Sequence, residues 1–170
     1  HGFETRVKNS GFLNVFPLYS NSKYIGSITM LYSSVSLFKH LRRGSMHVEL
    51  LENKKTIDKV LFGQDKDRHS KSININYLKD NIFNKDMKIN KDILKKIKLK
   101  LPASLETEME KANQITQIVN IDGVFYSVII VPVENIMGVK NSAYIVAYIE
   151  NESMNQFYSI IILLFAAFTI

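Results

Sequence analysis

The stretch QIVNIDGVFYSVIIVPV, from Gln117 to Val133, decides the fold class. β-Branched and aromatic residues fill both of its halves, and Asp122-Gly123 between them is a strong signal for a two-residue hairpin turn. A further strand-like stretch, SAYIVAYIE, follows at Ser142–Glu150. The closing part of the chain is therefore predicted to form three consecutive antiparallel strands.

Another strand pair is predicted near the beginning of the chain. GFLNVFPLY at Gly11–Tyr19 and YIGSITMLYS at Tyr24–Ser33 flank a short polar turn. Pro17 has no N–H and marks an edge or an irregular point of the first strand, and Gly26 suggests a bulge in the second. A short amphipathic helix is predicted over Val35–Arg43.

The middle of the chain gives weaker signals. Met46–Leu51 is predicted as a strand, Glu52–Lys54 as a turn, Thr56–Phe62 as a second strand or a short helix, and Gln64–Ser72 as a polar loop. Asn90–Leu99 is predicted as a helix. The order of these elements predicts an α+β fold, an antiparallel sheet with flanking helices.

Composition excludes several classes of function. The 170 residues contain no Cys, which excludes disulfides, thiolate metal sites and Cys nucleophiles. Much of the net charge of +6 lies in Lys85–Lys100. That segment has no Arg and no aromatic residue, so its lysines are interpreted as a solvated helix face, and no nucleic-acid partner is expected.

Catalytic and metal-binding motifs are missing from the sequence. The four histidines, His1, His40, His47 and His69, are scattered, and none forms a metal-ligand spacing. The chain has no Gly-rich phosphate loop, no nucleophile elbow and no HExxH motif. Neither catalysis, a cofactor nor a metal site is expected in this chain.

The C-terminal residues are apolar without interruption. FYSIIILLFAAFTI, at Phe157–Ile170, has no charge, no Gly and no Pro. A helix that is apolar all round suits a bilayer better than a protein surface. We therefore expect the start of a truncated transmembrane helix; a C-terminal core helix is the alternative.

The N-terminal hairpin resembles a known family. Phe16-Pro17-Leu18-Tyr19, the polar turn Asn21-Ser22-Lys23 and the strand Tyr24-Ile25-Gly26-Ser27-Ile28 resemble the closing hairpin of a Cache (PAS-like) sensor lobe. HGFETR at His1–Arg6 resembles the double-Cache variant found in bacterial receptors, and Asp122–Glu150 resembles the last strands of its membrane-proximal lobe. The resemblance implies three parts: the C-terminal part of a distal lobe at 1–44, a membrane-proximal lobe at 45–150, and the start of the transmembrane helix at 151–170.

The resemblance also implies a function. Such a chain would be the extracytoplasmic ligand-sensing domain of a membrane-bound signal-transduction receptor, a histidine kinase, a diguanylate cyclase or a chemoreceptor. It would lie in the periplasm at the bacterial inner membrane, bind a small molecule or a periplasmic binding protein, act as a homodimer, and pass binding to the following transmembrane helix. The alternative is a non-sensory membrane-anchored envelope scaffold or assembly module. The chain has no Trp, so the Arg-Trp-Tyr constellation of amino-acid-binding Cache domains is missing and no ligand class is implied.

The predicted ligand contacts lie in the N-terminal piece. Glu4 and Arg6 are two residues apart, so on a strand they share a face and would pair with each other or grip a zwitterionic ligand. The full predicted set is Glu4, Arg6, Phe12, Asn14, Tyr24 and Thr29. The equivalent surface of the second unit would involve Tyr77, Tyr126 and Tyr144.

Overall fold

The chain has an α+β fold with antiparallel sheets, as predicted. The computed structural model describes residues 1–6, 10–41, 46–61, 68–74, 76–81 and 89–168. The strands are β1 (Gly2–Glu4), β2 (Gly11–Ser20), β3 (Lys23–Ser33), β4 (His47–Asn53), β5 (His69–Lys71), β6 (Tyr77–Asp80), β7 (Ile115–Ile121), β8 (Val124–Val133) and β9 (Ala143–Glu150). The helices are α1 (Ser34–Leu41), α2 (Lys54–Leu61), α3 (Lys91–Lys100), α4 (Leu105–Glu110) and α5 (Glu152–Phe168).

Six strands form the larger sheet, in the order β5-β6-β4-β9-β8-β7. The closing three-strand prediction is confirmed, because β7, β8 and β9 pair antiparallel in sequence order. Asp122 and Gly123 join β7 to β8 with φ values of +53° and +88°, the backbone conformation that a two-residue hairpin turn needs. β4 pairs with both β6 and β9 and is therefore an interior strand.

The larger sheet is covered on both faces. Leu94 and Ile97 of α3 and Met109 of α4 pack on one face, against buried side chains such as Val128 and Val146. The opposite face holds a second cluster, in which the N-terminal residues Phe3 and Phe38 pack with Val48, Leu50, Val133 and Ala143. Every residue of β4 from His47 to Glu52 is buried as a result.

The N-terminal strands form a separate sheet in the order β1-β2-β3. The predicted hairpin is confirmed, with Asn21 and Ser22 at positive φ in its turn. A register shift at Leu18/Tyr19 lies opposite Gly26, which confirms the bulge. Beyond β1 the hairpin leaves many large apolar side chains exposed: Val15, Phe16, Leu18, Tyr19, Tyr24, Ile25, Ile28, Met30, Leu31 and Tyr32.

Two predictions for the middle of the chain are wrong. Glu52 and Asn53 are not in a turn; they extend β4 by pairing with Leu78 and Tyr77 of β6. The Asn53 side chain then accepts a hydrogen bond from the Lys55 N–H and so begins α2, the helical alternative for this stretch. The polar residues His69–Lys71 form the edge strand β5 instead of a loop. The expected boundary at residues 44 and 45 lies outside the described residues.

The last helix follows β9 almost directly. Asn151 separates Glu150 from α5, and its backbone N–H donates to the Phe125 carbonyl at 2.8 Å. Within the described part of the chain, no helix combines the length and the apolarity that a membrane span requires. The transmembrane assignment of the C-terminal residues stays a prediction.

Candidate ligand-binding site

A fully buried carboxylate lies at the centre of the larger sheet. Glu49 occupies β4 opposite Val146 of β9, and none of its surface is exposed. Because side chains alternate along a strand, Glu49 shares its face with Leu51, which packs under α3 and α4. A buried carboxylate is expensive unless it is paired, so its partners determine what this part of the sheet can do.

Four described side chains donate hydrogen bonds to Glu49, and His47 Nε2 lies 3.8 Å from its Oε1. The Lys98 ammonium donates to both carboxylate oxygens, at 2.9 and 3.1 Å, and that of Lys79 donates to Oε1 at 3.1 Å. The Tyr148 hydroxyl donates to Oε2 at 3.0 Å and the Ser72 hydroxyl to the same oxygen at 3.3 Å. We call Glu49 and its four donors the Glu49 cluster.

The ionisation of the cluster follows from these contacts. Burial alone would raise the pKa of Glu49, but the nearby His47 imidazole and the ammonium groups of Lys98 and Lys79 hold that pKa far below its usual range. Burial and the repulsion from Lys79 lower the pKa of Lys98, although Glu49 opposes that shift. Burial, together with the adjacent Glu49 charge, raises the pKa of Tyr148 well above its usual value. Glu49 is therefore ionised and Tyr148 is a neutral donor at neutral pH.

The cluster forms one wall of a cavity of about 430 Å³ between α3 and the β5–β6 edge. We call it the lysine cavity; its lining residues are Ser72, Ile73, Lys79, Lys91, Leu94, Lys95, Lys98 and Leu99. Three members of the Glu49 cluster, namely Ser72, Lys79 and Lys98, are shared with it. The lining contains four ammonium groups and three apolar side chains, and none of the described lining residues is a carboxylate.

Charge in the lysine cavity is unbalanced. Lys79 and Lys98 share the single carboxylate of Glu49, and their side chains are mostly buried, at 14% and 21% exposure. One of these two positive charges therefore has no counter-charge within the cluster. A partly desolvated site with surplus positive charge attracts anions, and a carboxylate or phosphate accepts hydrogen bonds from ammonium groups.

A second cavity of about 430 Å³ differs in charge. It is lined by Asn53, Lys54, Lys55, Asp58, Asn76, Tyr77, Glu110 and Asn141. Its two lysines face two carboxylates, so it has no net attraction for one sign of charge. The Tyr77 hydroxyl is already engaged, donating to the Asn141 carbonyl at 3.1 Å.

The N-terminal residues expected to bind a ligand lie apart from both cavities. Arg6 donates to the Glu4 carboxylate at 2.6 Å on the surface, which is the ion-pair alternative for these two residues. Phe12 packs edge to face on Phe3, and Tyr24 lies at the far end of the hairpin against Tyr19. Asn14 and Thr29 lie opposite Met30 and Val15 in the β2–β3 ladder. The structure thus brings Glu4 and Arg6 together but does not gather the six residues around one cavity.

Of the three tyrosines predicted for the equivalent surface of the second unit, Tyr77 and Tyr144 are structural. Their rings pack edge to face at 5.1 Å, and the Tyr144 hydroxyl donates to the Met109 carbonyl. Tyr126 is buried in the same core. Tyr77 also lines the charge-balanced cavity.

The Glu49 cluster was not predicted, although two signals for it exist in the sequence. Glu49 stands between the apolar residues Val48 and Leu50 of β4. Lys98 follows Leu94 by four residues and so shares the buried stripe of α3 instead of its solvated face. An acid and a base on buried stripes of different elements are the pattern expected for an interior ion pair.

Comparison with known proteins provides no family for the chain. No protein-family model matches it, no curated protein is significantly similar to it, and no solved structure matches it significantly.

Proposed function

We propose that this chain is the extracytoplasmic ligand-sensing domain of a membrane-bound signal-transduction receptor, and that it binds a small organic anion in the lysine cavity. One observation carries the ligand chemistry: Lys79 and Lys98 share the single carboxylate of Glu49 at the wall of an open cavity. The receptor assignment rests on the resemblance of the N-terminal hairpin and the closing strands to Cache lobes, with the apolar residues after Phe157 as the start of the membrane anchor.

The proposed binding step is an exchange of partners. An incoming carboxylate accepts hydrogen bonds from Lys98 or Lys79 and neutralises their surplus charge, while Ile73 and Leu94 contact an apolar body of the ligand. Ammonium–carboxylate hydrogen bonds are among the stronger ones because both groups are charged. The contacts between the lysines and Glu49 weaken as the ligand takes over part of their donor capacity.

A contiguous set of contacts joins this step to the C-terminal helix. Tyr148 donates to Glu49 and lies in β9, two residues before that strand ends. After Asn151, α5 is held against β8: the Asn155 side chain accepts from the Phe125 N–H at 2.7 Å, and Tyr158 packs on the Phe125 ring at 5.3 Å. A ligand that changes the Glu49–Tyr148 contact thereby favours one position of β9 and α5 over another.

Binding is tested with matched lysine variants. Lys91→Ala and Lys95→Ala remove exposed ammonium groups at the cavity, whereas Lys59→Ala removes an exposed ammonium group of α2 away from it. We expect calorimetric titration with short mono- and dicarboxylates to identify a ligand, which the double cavity variant binds roughly tenfold more weakly. Lys59→Ala should bind it normally. Equal loss of binding free energy per ammonium group removed, in the cavity variant and in Lys59→Ala, would mean that only overall charge attracts the anion.

Transmission is tested with spin labels. The chain has no Cys, so Thr116→Cys on β7 and Ser153→Cys on α5, both exposed, allow unique labelling. The distance distribution between the labels should shift on addition of the anion, and Tyr148→Phe should reduce that shift. An unchanged distribution despite saturating anion would remove the signalling part of the proposal. If no carboxylate or phosphate binds the wild-type chain, the alternative of a non-sensory envelope scaffold replaces the sensor.

A further inference from the structure

A second group of buried polar side chains lies on the opposite face of the same strands. Glu52 of β4, His69 of β5 and Asp80 of β6 each offer one donor atom, and these three atoms lie within 4.8 Å of one another. The Glu52 and Asp80 side chains have no exposed surface, and that of His69 is 4% exposed. The donor set is two carboxylate oxygens and one imidazole nitrogen.

Strand register brings the three together. Leu51 pairs with Lys79, so Lys79 lies on the Glu49 face, and the next residue, Asp80, lies on the other face. His69 is directly opposite Asp80 in the β5–β6 ladder and shares its face. Glu52 follows Leu51 and lies on this face too. β4 and β6 therefore contribute residues to both groups: to the Glu49 cluster on one face of the sheet and to this acidic group on the other face.

Glu52 and His69 have buried polar atoms that lack a hydrogen bond. Among the residues that the structure describes, none donates to or accepts from Glu52 Oε1 or either ring nitrogen of His69. His69 Nε2 is 3.9 Å from Glu52 Oε1, too far for a hydrogen bond but close enough for both atoms to reach one ion. Buried polar atoms without partners are rare in native proteins, and an unseen ion or water is a usual reason for them.

We propose that Glu52, His69 and Asp80 bind one divalent transition-metal ion, with Zn²⁺ as the best match. Imidazole nitrogen and carboxylate oxygen are both zinc ligands, at about 2.0–2.2 Å. Two ligands at that distance in a tetrahedral site lie about 3.4 Å apart. The 3.9 Å between His69 Nε2 and Glu52 Oε1, and the separations of up to 4.8 Å within the group, therefore require small side-chain movements when the ion binds. Three protein ligands leave the fourth position of a tetrahedral site for water.

Neighbouring side chains hydrogen-bond to the two carboxylates of this group and hold them in position. The Ser10 hydroxyl donates to Glu52 Oε2 at 3.1 Å and leaves Oε1 to face His69. Arg68 donates to Asp80 Oδ2 at 2.6 Å and to the Arg6 carbonyl at 3.3 Å. Such contacts orient metal ligands and tune affinity. The Arg68 guanidinium neutralises part of the negative charge of the two carboxylates.

The bound ion would stabilise the packing of the N-terminal residues against the larger sheet. Glu52 contacts Ser10, and the Ser10 carbonyl in turn accepts hydrogen bonds from Ser34 at the beginning of α1. Fixing the Glu52 carboxylate therefore fixes the position of the N-terminal sheet. A ligand that binds only the folded state raises the melting temperature in proportion to the logarithm of its concentration.

The test measures metal binding to the 170-residue chain, with the same mild detergent in every sample. Metal-free wild-type protein should bind one Zn²⁺ per chain in calorimetric titration, and its melting temperature should rise with the zinc concentration. His69→Ala and Glu52→Gln should each weaken binding by tenfold or more and remove the thermal shift. Bound Co²⁺ should show a visible absorption spectrum in the wild type that His69→Ala loses.

A matched control separates this site from adventitious binding. His1 is exposed and His40 is exposed on α1, so both are potential surface ligands. The double variant His1→Ala/His40→Ala should bind Zn²⁺ as the wild type does. Binding that survives His69→Ala, or that disappears in the double control variant, would overturn the proposal, as would a wild-type chain that binds no stoichiometric metal. Because His69→Ala removes a side chain from an edge strand, its fold is checked by circular dichroism, and Glu52→Gln provides the near-isosteric second variant.

Discussion

Glu49 and Glu52 lie on the same strand, β4, and their fully buried side chains point to opposite faces of the larger sheet. Glu49 is neutralised by two lysines, whereas Glu52 accepts one hydrogen bond from Ser10 and lies near His69. A single interior strand therefore carries two buried carboxyl groups in different electrostatic settings. The Glu49 setting is the basis of the proposed anion site, and the Glu52 setting is the basis of the proposed cation site.

Acid should destabilise the protein through Glu49. Its pKa in the folded chain lies far below the unfolded value of 4.5. As the pH falls below about 4.5, Glu49 takes up a proton in the unfolded chain but stays ionised in the folded chain. The free energy of unfolding therefore decreases as the pH falls. Urea unfolding from about pH 6 to about pH 3 should show a shallower decrease for Glu49→Gln than for the wild type.

Asp122→Asn is the control for that experiment. The Lys96 ammonium lowers the pKa of Asp122 as well, but the pair is exposed, with an Nζ–Oδ2 distance of 2.5 Å. Asn tolerates the positive φ of this turn position. The pH dependence of Asp122→Asn should match the wild type closely. An equal flattening in both variants would mean that Glu49 has no special role in acid stability.

Tyr148→Phe should lower the free energy of unfolding by about 2 kcal/mol, because it removes a buried hydrogen bond to a charged acceptor. Tyr24→Phe is the matched control: Tyr24 is exposed in the N-terminal hairpin, and its variant should differ from the wild type by less than about 0.5 kcal/mol. Urea unfolding at neutral pH measures both. Equal stabilities of Tyr148→Phe and wild type would show that the Tyr148 hydroxyl contributes nothing to holding Glu49.

Lys98→Met should destabilise the chain by about 2–3 kcal/mol, since it leaves the buried Glu49 charge with one ammonium fewer. Adding Glu49→Gln should restore part of this loss, with a coupling of about 1 kcal/mol in the double-mutant cycle. Lys95→Met, an exposed position on the same helix, should be nearly neutral. Additive effects of Lys98→Met and Glu49→Gln would contradict a direct interaction.

Gly2→Ala should destabilise the N-terminal sheet. β1 lies so close to the 134–138 segment that a methyl group on Gly2 would overlap the backbone of Asn135 and Ile136. The Phe3 N–H donates to the Glu134 carbonyl there at 2.8 Å, and overpacking at such a contact costs about 1–3 kcal/mol. Thermal unfolding should show the loss for Gly2→Ala and none for His1→Ala. A wild-type melting temperature for Gly2→Ala would show that β1 contributes little to the fold.

Local signals predicted the elements that local chemistry determines. Three elements were predicted correctly: the Asp122-Gly123 turn, the bulge at Gly26 and the basic helix at Asn90–Leu99. Each depends on residues that are close together in the sequence, through turn conformation, a missing side chain or helical periodicity. Glu52 was assigned to a turn because Glu-Asn-Lys is polar, yet pairing with β6 and burial under Ser10 outweighed that preference.

Neither group of converging side chains could be predicted in this way. Glu49, Lys79, Lys98 and Tyr148 come from four elements, and Glu52, His69 and Asp80 from three strands. Their convergence depends on strand register and on which residue faces which side of the sheet. A one-residue shift of β6 would exchange Lys79 with Asp80 and mix the two sites.

The pairing of β4 with β9 has a consequence for folding kinetics. Glu49 and Tyr148 are 99 positions apart in the chain, yet they are hydrogen-bonded in the middle of the sheet. The β2–β3 and β7–β8 hairpins close short loops, on a scale of about 1–10 µs, whereas the central pairing must close a long one. We therefore expect the overall folding rate to lie in the range of milliseconds to seconds, typical of sheets with distant strand partners. During synthesis, β4 leaves the ribosome long before β9 is made, so Glu49 lacks its Tyr148 partner until the last strand is added.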